Sequence, residues 1–536
     1  MGKSKPKKDP NPPPPSKRNS PGSAWTTTTN ASKNRRIKRS RGEESNFSKL
    51  EVDQLERLLL VSHRRILPRP IPSRLTVLTY ARIWVKEEEE KEEPLKVPKR
   101  PRWNTLMEKK TVDANESQVL FNWLKSTDSI IQRHFDRDPT EEEGRGGGGI
   151  PSIPSLFERN LEVFRQLWRV MERSDILLVL ADCRFPLLHL PNSLTDFLSN
   201  HARSRTILVL TKCDLVPPSI SERWKRWLES HFRGGFKVVV TQSYRRLEGL
   251  EGQGGSKRTR LSPPTLSQES RRELFKALRE VHGEMITPPK WILEDEERRK
   301  RWRPRCFDRV DWDAFEADGE RQVYGGEKQT HLEEGVGVGS EGKRDSPPPF
   351  ITLGLIGQPN VGKSSLLNAL MGSKVVRSSK TPGKTKHFQT HFLGGQGDVR
   401  SQVRLCDSPG LVFPSLVGME AQVMGGILPI SQVQSIPTCV GYVADHMRLE
   451  RILELEPFLA EMEVEEREVV GKRLDSMRSR NPKSQQRWTS TKILEALARR
   501  YNYRTAKAAR WDLNRAGNSL LRAVAEGRIR WAFRPP

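Results

Sequence analysis

The chain has 536 residues, a formal net charge of +26 and 35% hydrophobic residues, with a pI of about 10.0. That length suits about two to four domains, and a hydrophobic share below the roughly 45–50% of globular chains assigns much of it to tails or linkers. No apolar run reaches the roughly 18–20 residues of a membrane span. The five cysteines, Cys183, Cys213, Cys306, Cys406 and Cys439, include no C-x-x-C pair, which argues against a disulfide framework or zinc ribbon and fits a reducing compartment.

So large a basic excess favours a polyanionic partner, nucleic acid first. The other reading is basic tails on a neutral enzyme. Residues 1–46, rich in Lys, Arg, Pro and Ser, read as disordered. The N-terminus is basic but lacks an apolar h-region, so it is not read as a secretory signal. The run Lys33 to Arg41 reads as a nuclear-localisation or RNA-contact patch, or as a solvated tail. Residues 51–85 show no sustained period. An acidic run, Glu87 to Glu93, precedes a basic one, Lys96 to Arg102. Apolar positions from Val119 to Ile131 predict a helix over 117–137. The folded core is expected to start near Pro151, leaving 1–150 as a basic, largely disordered region.

Helical spacing through Leu161, Phe164, Leu167, Trp168 and Met171 predicts a helix over 157–174. Continuous apolar runs at 175–184, 205–210 and 236–243 have the character of parallel strands buried on both faces. A helix is expected between the last two, over 220–232. This alternation predicts an α/β fold with a doubly wound, mostly parallel sheet. Polar, glycine-rich inserts interrupt it near 245–265 and 317–349. Strand character returns at 350–356. Residues 415–485 are mixed, and 489–531 read as two or three short helices. The expected domains are therefore 151–420 and a basic, mostly helical unit over 421–536.

After the strand at 350–356 comes Gly357-Gln358-Pro359-Asn360-Val361-Gly362-Lys363-Ser364, a phosphate loop. Gly357 and Gly362 let backbone N–H groups close around phosphate oxygens. Lys363 supplies a charge between the β- and γ-phosphates, and the Ser364 hydroxyl a ligand for Mg²⁺. The helix that follows through Ser365 presents its positive end to the phosphates. Asp407-Ser408-Pro409-Gly410 ends a further strand, with Asp407 lying 44 positions after Lys363. Asp407 would reach Mg²⁺ through water, and the Gly410 N–H would meet the γ-phosphate. Between them, Thr385 is expected to bring a hydroxyl to Mg²⁺ and its N–H to the γ-phosphate; Thr381 is the runner-up. His387 reads as an ordinary surface histidine. Leu411 stands where many GTPases place a Gln that orients the attacking water, so intrinsic hydrolysis should be slow. Asn360 is a candidate ligand for a monovalent cation such as K⁺.

Thr211-Lys212-Cys213-Asp214 closes the strand at 205–210 and reads as a guanine-recognition motif. The Asp214 carboxylate can accept from both N1–H and the 2-amino group of guanine, which selects GTP and GDP over adenine nucleotides. Lys212 would lie along the base. Thr211 stands where Asn is commoner. Ser243 could bring an N–H to the guanine O6. The guanine motif precedes the phosphate loop, the reverse of the usual order.

These motifs in this order, with Asp182-Cys183-Arg184-Phe185-Pro186 as a D-x-R-x-P signature, resemble the circularly permuted GTPases of the YlqF/YawG type, closest to the eukaryotic guanine nucleotide-binding protein-like (HSR/MMR) branch. The runs RNLEVFRQLWRV and YRTAKAARWDLNRAGNSLLRAVAEGRI carry that likeness too. It covers roughly 155–245 and 350–536, and it implies a P-loop GTPase fold, GTP/GDP and Mg²⁺ binding, slow hydrolysis and work on ribosomal subunit assembly. Ribosomal RNA or preribosomal particles are then the expected partners, and the nucleus or nucleolus and the cytoplasm the expected locations, with no membrane partner. The alternatives are a nucleotide-dependent interaction protein with little turnover and a GTPase of another pathway. Permutation would also tether the C-terminal unit to the γ-phosphate-sensing Asp407–Gly410. That unit's arginines, interleaved with Tyr501, Tyr503, Trp511 and Trp531, suit RNA backbone contact and stacking, or form a basic solvated face.

Overall fold

The computed structural model describes residues 47, 50–71, 94–104, 106–136, 153–232, 235–243, 265–304, 306–317, 350–376, 389–393, 403–471, 488–506 and 510–536. Its centre is one six-stranded sheet. The strands are β1 (Ile176–Asp182), β2 (Thr206–Thr211), β3 (Lys237–Val240), β4 (Ile351–Ile356), β5 (Gln389–Phe392) and β6 (Val403–Asp407). Their order across the sheet is β3-β2-β1-β4-β6-β5. All neighbours pair in parallel except β5, which runs antiparallel to β6 at the edge. Every residue of β1, β2 and β4 is buried, as the unbroken apolar runs require of strands covered on both faces.

Two apolar layers cover the sheet. On one face pack α7 (Gln268–Ile286) and α8 (Lys363–Leu370), through Leu274, Phe275, Leu278, Leu366 and Leu367. On the other lie α3 (Leu161–Arg173), α4 (Pro186–His189), α5 (Asn192–His201) and α6 (Pro218–His231). Helix α3 starts where the Asn160 side chain accepts from the Glu162 N–H, which satisfies one of the helix's unpaired first donors.

The second layer continues without a break into α9 (Met419–Met424), α10 (Ile436–His446), α11 (Glu456–Gly471), α12 (Ser490–Arg500) and α13 (Leu513–Ala525). Ile427, Val440, Leu494 and Val524 belong to the same buried cluster as Val179 and Leu187, so no boundary falls at 420. Residues Glu43–Pro536 form one compact unit. The segment after Gly410 is held tightly to the start of the core. Ile153 N–H donates to Glu420 (2.9 Å), Leu156 exchanges two bonds with the Gln422 side chain, and Glu158 N–H donates to the Val412 carbonyl.

Nor does the ordered chain begin at Pro151. Helix α1 (Val52–Arg64) packs on α10 and α12. Arg65 grips Asp445 with two 2.9 Å contacts, and Arg69 grips Glu450. Helix α2 (Lys109–Asp136) covers 117–136 of the expected helix and begins eight residues earlier, and its buried Glu116 accepts from Arg100 and Arg165. Among the described residues no helix is long and apolar enough to cross a membrane. The expected inserts at 245–265 and 317–349, and the 1–46 tail with its Lys33 to Arg41 run, fall almost wholly outside the described residues.

Candidate functional site

The parallel strands β1, β2, β4 and β6 deliver Asp182, Thr211, Gly357 and Asp407 to one edge, outside their carboxyl ends. That edge is where open α/β sheets bind ligands. Between β4 and α8 the chain turns through Gly357 (φ 155°), Asn360 (φ 59°) and Gly362 (φ 107°). Gly362 caps α8 in the left-handed region, which L side chains rarely adopt. A Cβ on Gly357 would lie 2.9 Å from the Leu180 carbonyl oxygen. The loop is therefore a close-packed cradle of backbone. Pro359 and Val361 are buried in it, and Ser364 and Ser365 are half-buried at the helix start. Gln358 points inward and donates to the Leu188 carbonyl (2.7 Å). The Asn360 amide donates to the Gly426 carbonyl (2.8 Å).

Lys363 is buried and donates to the carbonyls of Gly357 (2.9 Å) and Gln358 (2.8 Å). Burial pushes its ammonium down to about 8, while Asp407 pulls the other way. Ser364 donates to Asp407 Oδ2 (2.9 Å). Burial raises the Asp407 carboxyl, against the opposing pull of Lys363 and Ser364. Asp407 Oδ1 has no hydrogen-bond partner. A buried carboxylate with one oxygen held by a serine hydroxyl and the other without a partner fits a hydrated divalent cation. Among the described residues no group of three His, Cys, Asp or Glu could hold a metal alone. Such a cation would need phosphate and water ligands as well, the usual state of Mg²⁺.

Beyond Asp407, Ser408 donates to the Leu355 carbonyl (2.6 Å), and Pro409 is buried. Gly410 passes so near the phosphate loop that a Cβ there would stand 2.7 Å from Pro359 Cα. Leu411 turns into the apolar core, 2% exposed, so it neither orients water nor faces the cradle. Thr385, Thr381 and His387 lie outside the described residues.

The guanine motif stands beside this loop. The Thr211 hydroxyl faces two carbonyl oxygens, Ala181 at 3.1 Å and Val361 at 2.5 Å. Although 150 positions apart, motif and phosphate loop are joined by that second contact. Threonine thus ties the two motifs together from the position where Asn is commoner. Lys212 takes a left-handed conformation (φ 57°) and donates to Asp182 Oδ2 (2.8 Å). Cys213 Sγ turns inward to the Leu210 carbonyl, and Asp214 is exposed in the following turn. Ser243 is half-buried just past β3, at the same edge of the sheet.

In the sequence, Asp182 and Arg184 form a signature with no evident task. Both are buried, and Arg184 donates to both Asp182 oxygens, the shortest contact being 2.7 Å. Burial alone would raise the Asp182 carboxyl. The Arg184 guanidinium and Lys212 ammonium outweigh it and hold the group well below the usual carboxylate range. Arg184 also donates to the carbonyls of Val524 and Ala525 (3.1 Å each) and lies 4.5 Å from the Trp531 ring centre.

The C-terminal arginines divide into two sets. Arg499, with 8% side-chain exposure, is taken up by Glu465 and Glu495, and Trp531 is buried over Arg184. At the surface, Tyr501 is 49% exposed and stacks on Tyr503, ring centres 5.6 Å apart. Arg515 lies over Tyr503 and Arg504 over Trp511.

A family of proteins described as 50S ribosome-binding GTPases matches residues 352–470. Guanine nucleotide-binding protein-like 1 of Pan troglodytes and of Homo sapiens are each 33% identical over 467 residues, 82% of this chain and 65% of theirs. The chain thus spans just under two thirds of the length of these relatives. GTPase LSG1-1 of Arabidopsis thaliana is 28% identical, covering 74% of this chain and 64% of its own. GNP-bound YlqF from T. maritima aligns with 69% of this chain and 97% of its own at 15% identity, with a TM-score of 0.33, a likeness too slight to bear on the fold.

Proposed function

We propose, for a chain that belongs to the circularly permuted GTPases of the guanine nucleotide-binding protein-like branch, that it binds GTP and GDP at this edge of the sheet and hydrolyses GTP slowly. The observation that carries the reading is the Thr211–Val361 contact, which makes one site of two motifs in inverted order. Gly357 to Ser365 would wrap the phosphates with backbone N–H groups. Lys363 would leave its loop carbonyls for the β- and γ-phosphates. Ser364 and Asp407, with Thr385, would hold Mg²⁺, which neutralises charge developing on the phosphates. Gly410 would offer its N–H to the γ-phosphate, while Ser408 and Pro409 fix its approach. Asp214 would read the guanine edge, with Lys212 along the base, Cys213 inside the turn and Ser243 near O6. Leu411 supplies no water-orienting group, so turnover depends on another source of charge. A K⁺ ion at Asn360 is that source. GTPase rates equal in K⁺ and Na⁺ buffers would remove it.

The switch acts in ribosome biogenesis, binding ribosomal RNA or preribosomal particles in the nucleus, nucleolus or cytoplasm. The matched family's description as 50S ribosome-binding GTPases, the +26 charge and the exposed Tyr501, Arg504 and Arg515 support this. Single-turnover hydrolysis tests the enzyme: wild type should convert bound GTP, and Lys363→Ala should not. Co-sedimentation with 40S and 60S particles, with and without a non-hydrolysable GTP analogue, tests the partner. Absence from both particles in every nucleotide condition would sink it.

A further inference from the structure

The sequence suggests that the C-terminal unit senses the γ-phosphate side of the site. In the structure the end of its last helix also abuts the guanine side. Two separate contacts make that junction.

The first is a chain of buried charge. Lys212 Nζ donates to Asp182, and Asp182 is gripped by Arg184. The remaining Arg184 N–H groups donate to the carbonyls of Val524 and Ala525, which close the last turn of α13. A cation there is favoured by the negative end of the helix dipole. Trp531 locks the guanidinium from the far side, its ring centre 4.5 Å away and its Nε1 donating to Val524 (2.9 Å). Phe533 N–H donates to the Arg184 carbonyl (3.0 Å). Arg184 is fully buried, so displacing residues 524–533 would leave a guanidinium with two acceptors gone. A buried charge that loses partners is costly, and the imbalance would fall on Asp182 and hence on Lys212.

The second contact is steric. Leu215, in the turn that also carries Asp214, sits over Gly527. A Cβ on Gly527 would lie 2.7 Å from Leu215 Cδ1, and the glycine's φ is +73°. Glycine lets the leucine, and with it the guanine-reading turn, settle against the end of α13.

We infer that Arg184 is a positioning residue for the guanine-reading Lys212 and Asp214, and that guanine affinity is coupled to docking of residues 524–533 through Arg184 and through the Leu215–Gly527 contact. Coupling of two sites is reciprocal. A partner that lifts the C-terminal segment therefore loosens the guanine base, and bound guanine nucleotide holds the segment down. The inference rests on the proposed guanine site.

Isothermal titration of the full chain with GDP and with IDP, which lacks the 2-amino group, tests it. Trp531 and Gly527 touch no nucleotide in the proposed site. Trp531→Ala and Gly527→Ala should each weaken GDP at least five-fold and narrow the GDP-to-IDP ratio, because Asp214 reads the 2-amino group. Trp531→Phe, which keeps a ring over Arg184, should stay within two-fold of wild type. GDP affinity within two-fold of wild type in both alanine variants overturns the coupling. So does an equal loss of GDP and IDP, the mark of a general loosening. If Trp531→Ala does not fold, Gly527→Ala decides. A wild-type chain that binds neither nucleotide overturns the guanine site itself, and the coupling with it.

Discussion

The Thr211 hydroxyl lies 2.5 Å from the Val361 carbonyl oxygen and joins a strand end to a loop 150 positions away. Thr211→Val keeps the shape and removes the donor. It takes away the one proton that the hydroxyl offers to the Val361 and Ala181 carbonyls, at a cost of about 1–2 kcal/mol. Urea unfolding should show that loss, and GDP titration a weaker affinity. An unchanged unfolding midpoint would mean the contact carries no energy.

Gly410 has no room for a side chain beside Pro359. The atom it would meet belongs to backbone, so relief requires the loop after β6 to move off the phosphate loop. Gly410→Ala should therefore depress single-turnover GTP hydrolysis by about ten-fold or more, a rise of roughly 1.4 kcal/mol in the barrier, while GDP affinity changes less. Hydrolysis at the wild-type rate would show that the close approach is dispensable.

Asp182 shares its carboxylate between Arg184 and Lys212. Asp182→Asn leaves Arg184 buried without its counter-charge, a change that costs about 3–5 kcal/mol in comparable sites. Thermal melting of the variant should show a large drop in midpoint. A drop no larger than that of an exposed carboxylate variant, such as Asp313→Asn, would contradict the account.

His189 is fully buried, and neither ring nitrogen has a partner. Burial pushes its imidazole down to about 3; Asp182 pulls upward, while Lys212, Arg184 and Lys363 push further down. The unfolded chain binds a proton near pH 6.5 and the folded chain does not until about 3. The unfolded state thus holds more protons throughout that window, so stability falls as pH drops through it. His189→Leu should lose less stability between pH 7 and pH 5 than wild type, measured by urea midpoints at both values. Equal acid sensitivity would place His189 elsewhere.

Much of this was legible because the residues leave no choice. Strands buried on both faces must be apolar along their length, and β1, β2 and β4 read that way at once. Gly357, Gly362, Lys363, Asp407 and Asp214 carry chemistry that few other types supply at those spacings. Helix α1 was not legible: Leu58 is buried while Leu59 and Leu60 are exposed, so no period stands out. Its partner Asp445 lies 380 positions from Arg65, beyond any local pattern. The task of Arg184 was hidden for the same reason, since its acceptors are carbonyls 340 and 341 positions away. The expected boundary at 420 failed because a change in composition does not show that two segments share a core.

The central claim is that one guanine-nucleotide site is assembled from motifs in reversed order, with Asp214 as its base-reading group. Titrating wild type and Asp214→Asn with GDP and XDP tests it most directly. Wild type should prefer GDP, and the variant should shift its preference toward XDP by about ten-fold or more, since a bidentate contact of this kind discriminates by roughly 1–3 kcal/mol. An unchanged preference for GDP in the variant would remove Asp214 from the site and contradict the account.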